Sequence, residues 1–559
     1  MSDEDFQVER RRALFAALGS GLGASSLLVG APKVAEAAAW ASGALSAPTN
    51  PVDRRLDRAL ALRIEAARAA RHAAPDLNRA NNDDERFPDG AASFSKGLPH
   101  DEHGLPLAPA LQALRKAVKT GAPADFDAIP VGNVQMSLVN PQGGLAFGLA
   151  GLDACQFCLP PAPGFSSAER AAEAIELYWM AVMRDIPFDQ YGSHPLARAA
   201  ARELSGLDGL KAPHGPLGIA AEYLYRGASP GDLLGPYVSQ FLIQPVAMGA
   251  LRLEHKVSTF LPIAQGGHDY LTDFDSWLSS QNGDMAMDEI RRDPVPRYIR
   301  TGRDLAAYVQ NDYTYQAFYN ASIWLAHKQA RVNPGSPYPR NHNQMGFATY
   351  GVADAQSMLA MAHLCALRAV WYQKWIVHRT PRPEEFAARV HRTLQGLADY
   401  PIHAILRASE GVSECFARTR GYLLPQAYPD GAPHHPAYAQ GHAACAGACV
   451  TVLKAFYDGS TRMMELGDLY ESREDGLALT KYRGTDAGRM TVASELDKLA
   501  GNIALGRNIA GIHWRSDAHQ GLLLGEAVAL ALMRDFRATY SEAPTRISLT
   551  TFAGQTVTL

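Results

Sequence analysis

The sequence predicts a mainly α fold, a helical bundle closed by a short C-terminal β-hairpin. Three observations carry this. From about residue 165 onward, apolar residues recur at three- and four-residue spacing, the period of a helix with one buried face. Pro- and Asn-rich connections, such as 332–344, separate the periodic stretches. Apolar and polar residues alternate in 547–559, around a turn at Ala553-Gly554.

The elements follow in order. Residues 1–39 carry Arg10-Arg11-Arg12, an uncharged Ala/Gly/Leu/Ser stretch to Ala31, and Ala35-Glu36-Ala37 as an A-x-A cleavage candidate. Arg11-Arg12-Ala13-Leu14-Phe15 resembles the twin-arginine export signal of bacteria. The expectation is an exported protein, periplasmic or secreted. The alternative is an amphipathic N-terminal helix or single anchor, with the chain cytoplasmic if no signal is present. No other uncharged run is long enough to span a membrane, so the mature form is not expected to do so. Residues 40–110 are rich in Pro, Asn, Asp and Gly and read as an extended arm, with one helical patch near 52–72. Residues 111–559 form the helical body. Its helices are expected over 168–184, 304–328, 353–378, 441–457, 493–511 and 518–536. No internal repeat interrupts this plan.

The 559 residues are 47% hydrophobic and 20% charged, an ordinary composition for a globular chain with a large core. A formal net charge of −4 gives no reason to expect nucleic acid as a partner. Of six cysteines, Cys155 and Cys158 form a CxxC. A zinc site needs a second such pair, and none exists. Two packed thiols are the default reading, a disulfide the alternative in an exported protein. Cys445 and Cys449 sit four apart in a helical pattern, as packing residues do.

Three segments hold the chemistry, all within 370–515. The first runs Lys374-Trp-Ile-Val-His-Arg-Thr-Pro-Arg382-Pro383. The second is His435-Pro-Ala-Tyr-Ala-Gln440-Gly441-His442, and the third Arg507-Asn-Ile-Ala-Gly-Ile-His513. Together they offer three cations, a glycine N–H at a helix start and histidines at separate places. That set suits a tetrahedral oxyanion, phosphate or vanadate. Arginine's planar fork matches two oxygens and lysine adds a point charge. Val370, Trp371, Trp375, Ile376 and Val377 surround Lys374, and a lysine on a largely buried helix needs an anionic partner. Gly441 opens a helix, whose free N–H groups attract anions, and His442 beside it is placed for acid–base work. Arg507 and His513 are six apart, about 120° around an ideal helix, so a common guest needs a break at Gly506 or Gly511.

The combined pattern resembles the vanadium-dependent haloperoxidases, whose segments read Lys…Arg-Pro, Ser-Gly-His, then Arg…His. The step from Lys374 to Arg382 and the His-Pro-x-Tyr lead-in at His435 resemble the red-algal and cyanobacterial bromoperoxidase branch. So do Gly447 to Phe456, Leu522 to Glu526, Ala92 to Asp101 and the C-terminal hairpin, so that the likeness runs from about residue 55 onward. The resemblance implies two packed four-helix bundles. It implies vanadate bound through His513, with Lys374, Arg382, Arg507 and the Gly441 N–H on its oxygens and His435 hydrogen-bonding nearby. His442 would then take a proton from hydrogen peroxide and Lys374 would polarise the peroxide. Halide, bromide before chloride or iodide, would be oxidised to hypohalous acid that halogenates organic acceptors. A homo-oligomer is also implied. A structural calcium is a weak expectation, from the Asn-rich 333–344 alone. One departure stands out: Gln440 replaces the family's serine, and is expected to bind the oxyanion through an amide on a longer stem or, as the alternative, to turn away and leave one oxygen less satisfied. Two other readings remain. One is an acid phosphatase with His513 as nucleophile and His442 as proton donor; the other is a non-catalytic oxyanion-binding helical protein.

Overall fold

Capping chemistry sets where the helices begin. The computed structural model describes residues 51–72, 78–134, 136–284, 289–542 and 545–559. The signal read in 1–39 and the start of the arm at 40–50 lie outside the described residues. Thirteen helices of seven residues or more are labelled here: α1 Pro51–His72, α2 Ala108–Thr120, α3 Ala168–Met183, α4 Pro195–Ser205, α5 Phe274–Gln281, α6 Gly302–Tyr308, α7 Gln316–His327, α8 Val352–Trp371, α9 Pro383–Leu394, α10 Glu410–Thr419, α11 Gly441–Phe456, α12 Val492–Ile509 and α13 Arg515–Ala538. Ser167 Oγ accepts from Arg170 N–H to open α3. Thr301 with Asp304, and Thr491 with Ser494, make reciprocal capping boxes at α6 and α12.

The chain divides into residues 1–65 and residues 66–559. In the larger unit, α11 packs against α13, α8 and α12 as the centre of one four-helix group. Its Ala- and Gly-rich sequence permits unusually close approach. A Cβ on Gly447 would lie 2.1 Å from Leu522 O, and one on Gly525 would lie 2.0 Å from Ala444 O. Only glycine fits where α11 and α13 cross. A second group is built on α3, with α4, α10 and α12 around it. Among the described residues, β-structure is three short antiparallel hairpins: Val246–Met248 with Leu251–Leu253, Tyr470–Ser472 with Leu479–Lys481, and Ser548–Thr550 with Thr556–Thr558. The last is the hairpin expected around Ala553-Gly554; the other two were not anticipated.

Two expected helices need correction. The 304–328 stretch is broken: α6 ends at Tyr308 and α7 starts at Gln316. Gln310, Asn311 and Asp312 fill the break, short polar side chains that compete with the helix for backbone hydrogen bonds. The 353–378 stretch changes pitch: α8 stops at Trp371 and Tyr372–His378 continues as a π-helical turn, a form concentrated at functional sites. No described helix is long and apolar enough to cross a membrane.

Candidate active site

Each of the three segments occupies the end of a helix. Lys374 lies in the π-helical turn after α8, and Arg382 caps the start of α9. Gln440 caps α11, and Gly441 and His442 are its first residues. Arg507 is in the last turn of α12, and His513 precedes α13. The break that lets these last two converge is at Gly511, whose φ of +92° favours glycine. Gly506 stays helical.

Lys374 and Arg382 are fully buried, and Arg507 and His513 nearly so. Lys374 Nζ donates to Pro436 O at 2.6 Å and Ala437 O at 2.7 Å. Arg382 donates to His435 O and Ile512 O, both at 2.8 Å, and its Nη1 lies 2.8 Å from His513 Nε2. Its Nη2 lies 3.0 Å from His435 Nδ1. Arg507 Nη1 donates to Val309 O, and its buried Nε has no hydrogen-bond partner. None of these three cations pairs with a carboxylate among the described residues. Other buried cations do: Lys96 with Glu384, Lys454 with Asp497, Lys498 with Glu495, Arg184 with Asp269 and Arg515 with Glu176.

Burial, and after it the neighbouring cations, lowers the proton affinity of the cluster. Burial first, then Arg382 and Arg507, hold Lys374 well below the ordinary lysine value, with Asp517 opposing. Burial is also the main reason Arg382 is pushed down to about 9. His513 and His435 are held well below the usual histidine range by burial and then by the cations. Both rings are therefore neutral, each with a lone pair available to a ligand or donor.

Two residues that sequence reasoning missed complete the arrangement. Asp517 Oδ2 faces His513 Nδ1 at 2.8 Å and accepts from Trp514 N–H at 3.0 Å. A carboxylate there makes Nδ1 the protonated nitrogen and leaves Nε2 with the lone pair, which faces Arg382 Nη1; the carboxylate–histidine pairing is the one found behind metal-ligating histidines. Burial pushes Asp517 up to about 6. The four-residue step from His513 to Asp517 at a helix start was a readable signal. Asp312, in the unexpected break between α6 and α7, lies 2.7 Å from His442 Nε2. Burial lowers His442, while Asp312 raises it against that trend. His442 remains 16% exposed in its side chain, the most open of the site's histidines.

Gln440 makes its side-chain hydrogen bond to the backbone rather than to a residue of the cage. Its amide Nε2 donates to Ala504 O on α12 at 2.9 Å, and its Oε1 is buried without a partner. Trp371 packs on His435 with ring centroids 4.8 Å apart and the planes tilted by 35°, and approaches Gly441, where a Cβ would sit 3.3 Å from the indole. The expected arm also reaches the site: Ser95 and Lys96 N–H groups donate to Glu385 Oε1, whose Oε2 accepts from Arg382 N–H at 2.6 Å. A cavity of about 1000 Å³ lies elsewhere, beside Lys454, Asp497 and the C-terminal hairpin; none of the oxyanion-site candidates lines it, although part of 333–344 does.

The donor set fits an oxyanion rather than a bare cation. Buried unpaired positive charge is costly until an anion arrives. The first-turn N–H groups of α11 add dipole and hydrogen-bond donors. Among the described residues, no group of three or more His, Cys, Asp or Glu side chains stands ready for a metal ion, and 333–344 holds no acidic residue for the calcium expected there.

Comparison with known proteins agrees with this chemistry. Residues 354–542 match the model of the VCPO second helical-bundle domain. A vanadium-dependent bromoperoxidase of Ascophyllum nodosum is 34% identical over 92% of this chain and 93% of its own length. Those of Corallina pilulifera and Corallina officinalis are each 32% identical, over 83% and 81% of this chain and 90% and 89% of their own lengths. The homohexameric structure of the second vanadate-dependent bromoperoxidase of Ascophyllum nodosum superposes with a TM-score of 0.86 at 28% identity, covering 97% of this chain and 95% of that one. Neither the phosphatase nor the non-catalytic reading is favoured by these relatives. The chain is an enzyme that belongs to the vanadium-dependent haloperoxidases, in their bromoperoxidase branch.

Proposed function

We propose that the cage of Lys374, Arg382, Arg507 and the Gly441 N–H holds vanadate, with His513 Nε2 as its one protein ligand atom, and that the enzyme oxidises bromide with hydrogen peroxide. The observation that carries this is the set of three buried cations with no carboxylate partner. When bound, vanadate supplies a Lewis acid that activates peroxide without changing its own oxidation state. The protein's residues do the rest. Asp517 keeps the proton on His513 Nδ1, so Nε2 carries the lone pair that would ligate once Arg382 Nη1, now 2.8 Å from it, turns to the oxyanion. Lys374 and the two arginines neutralise the oxyanion and withdraw electron density from oxygen held against them. His442, neutral because burial lowers it, donates Nε2–H to Asp312 and so has Nδ1 left to accept a proton from incoming peroxide, and Asp312 stabilises the imidazolium that forms. Trp371 and His435 wall one side of the cage, a neutral lip past which bromide approaches. Organic acceptors would be halogenated by the hypobromous acid released.

The same reading includes a homo-oligomer and, from Arg11-Arg12 in the sequence, an exported enzyme. The test is bromination of monochlorodimedone with peroxide and bromide, on protein prepared with and without orthovanadate, beside hydrolysis of para-nitrophenyl phosphate. Bromination only in the vanadate-loaded sample is expected. Phosphate ester hydrolysis without bromination would overturn the reading.

A further inference from the structure

The cleft of about 1000 Å³ beside the C-terminal hairpin takes no part in the oxyanion site. Its walls come from 230–234, 333–340, 454–460, 489–497 and 545–556. Short-range contacts tie these walls together. Asn333 Nδ2 donates to Ser548 O at 2.9 Å and Lys454 O at 3.3 Å, and Lys454 Nζ donates to Thr550 O at 3.0 Å. A Cβ on Gly335 would lie 1.9 Å from Arg546 O, so the 333–340 loop sits directly on the hairpin strand. The cleft is therefore formed before any guest arrives. Lys454 lies twelve residues beyond His442 on α11, about 18 Å along the axis, so the cleft is separate from the cage. Its charges are unevenly matched. Two carboxylates line it, and each already has a cation: Asp497 pairs with Lys454, and Asp458 with Arg331 at 3.5 Å. Three exposed arginines also line it, Arg340, Arg489 and Arg546, and none has an ion-pair partner among the described residues. Exposed arginines elsewhere do, as Arg473 with Asp475 and Arg202 with Glu410 show.

We propose that this cleft is a second anion site, which binds a sugar or polyol carrying two or more phosphate or sulfate ester groups. Three features select that class. The unmatched arginines come from three separate stretches of chain, and each guanidinium fork fits two oxygens of a tetrahedral ester. A concave wall concentrates their field in a molecule whose net charge is −4. The volume is that of a pocket for a whole small molecule and exceeds what one inorganic oxyanion fills, which calls for several anionic groups on one body. The lining suits a hydroxylated body. Leu234 and Leu549 are the large apolar side chains in it, against hydroxyls from 336, 460, 491, 494, 545, 548, 550 and 556. Ser336 Oγ is buried without a partner, a donor left for a guest. The start of α12 also reaches the cleft, but its Val492 and Ala493 N–H groups already donate to Thr461 O and Gly459 O. The arginines, not the helix start, therefore carry the recognition.

The test is isothermal titration calorimetry on the full chain, loaded with orthovanadate and freed of excess so that the cage is filled. The probes are myo-inositol hexakisphosphate and sucrose octasulfate, with myo-inositol and sucrose as uncharged counterparts. At least one polyanion should bind, more weakly as salt is raised, and the uncharged polyols should not. Binding of the first alone marks the site as one for phosphate esters, of the second alone as one for sulfate esters. Arg340→Gln, Arg489→Gln and Arg546→Gln should each weaken binding by about tenfold, and the triple variant by roughly a hundredfold or more. Arg407→Gln removes an exposed arginine outside the cleft and should leave the affinity unchanged. Circular dichroism and bromination of monochlorodimedone should be the same in all variants. The calorimetric result stands whether or not bromination is seen, so failure of the haloperoxidase reading and failure of this one are distinct. No binding of either polyanion, equal binding of the uncharged polyols, or a triple variant with wild-type affinity would overturn the proposal.

Discussion

Replacing Asp312 with asparagine tests the acid–base reading of His442. The carboxylate lies 2.7 Å from Nε2, and the histidine side chain is only 16% exposed. An opposite charge this close raises a histidine by about one to three pH units when solvent screening is small. In the wild-type chain burial lowers His442, with Asp312 resisting and Arg507 and Lys374 adding to the fall. Asp312→Asn removes the resistance, so His442 drops further and stays neutral to lower pH. The acid limb of kcat/KM for peroxide should therefore move to lower pH by about one to three units, each worth about 1.4 kcal/mol. The plateau should fall by about tenfold or more, because a weaker base takes the peroxide proton less effectively. Bound vanadate shifts both enzymes alike, so the difference between the two profiles is the quantity read. The same substitution made in a His442→Ala background should change little, since the partner is gone. An acid limb that stays in place, or an equal loss in both backgrounds, would refute the pairing as a catalytic device.

Three further outcomes follow from the cage. Lys374→Met removes one of three mutually repelling cations, so the anion-free protein should change in thermal stability by less than about 2 kcal/mol, the gain offset by two stranded carbonyls; the rise in Tm on adding vanadate should shrink, and a large loss of anion-free stability would show that Lys374 is already compensated. Asp517→Asn should weaken vanadate binding by about 10- to 100-fold in equilibrium dialysis, with unchanged affinity counting against its role in orienting His513. Gln440→Ser should restore a compact donor near the oxyanion and tighten vanadate by about tenfold, about 1.4 kcal/mol; an unchanged or weaker Kd would mean that the glutamine, despite its bond to Ala504 O, already serves the anion.

What could be read from the sequence was whatever local pattern specifies. The run around Lys374 is apolar enough to predict burial, and Lys374 is indeed fully buried. Arg507 and His513 looked mismatched by about 120° on one helix, and the glycine at 511 gave one of two places where the helix would have to end. Asp517 was readable as a four-residue step from His513. Asp312 was not. The apolar periodicity runs on through 304–328, and only the Gln-Asn-Asp triplet hints that the chain leaves the helix there. A pairing across 130 residues of sequence leaves no local trace. The orientation of Gln440 was equally hidden, because its acceptor is a backbone oxygen on α12.

That last case is general to the site. Lys374, Arg382 and Arg507 are held by the carbonyls of Pro436, Ala437, His435, Ile512 and Val309. A carbonyl is a neutral acceptor. It fixes the direction of an N–H without cancelling the charge behind it, whereas a carboxylate would do both and compete with an incoming anion. The cage can thus be rigid and still positive before its guest arrives, which is what preorganised electrostatic stabilisation requires. Backbone oxygens carry no residue identity, so the sequence could show which cations gather but not what holds them in place. The one strong carboxylate contact to a candidate ligand, Asp517 on His513, sits on the far ring nitrogen, where it orients the imidazole without entering the space the oxyanion would fill.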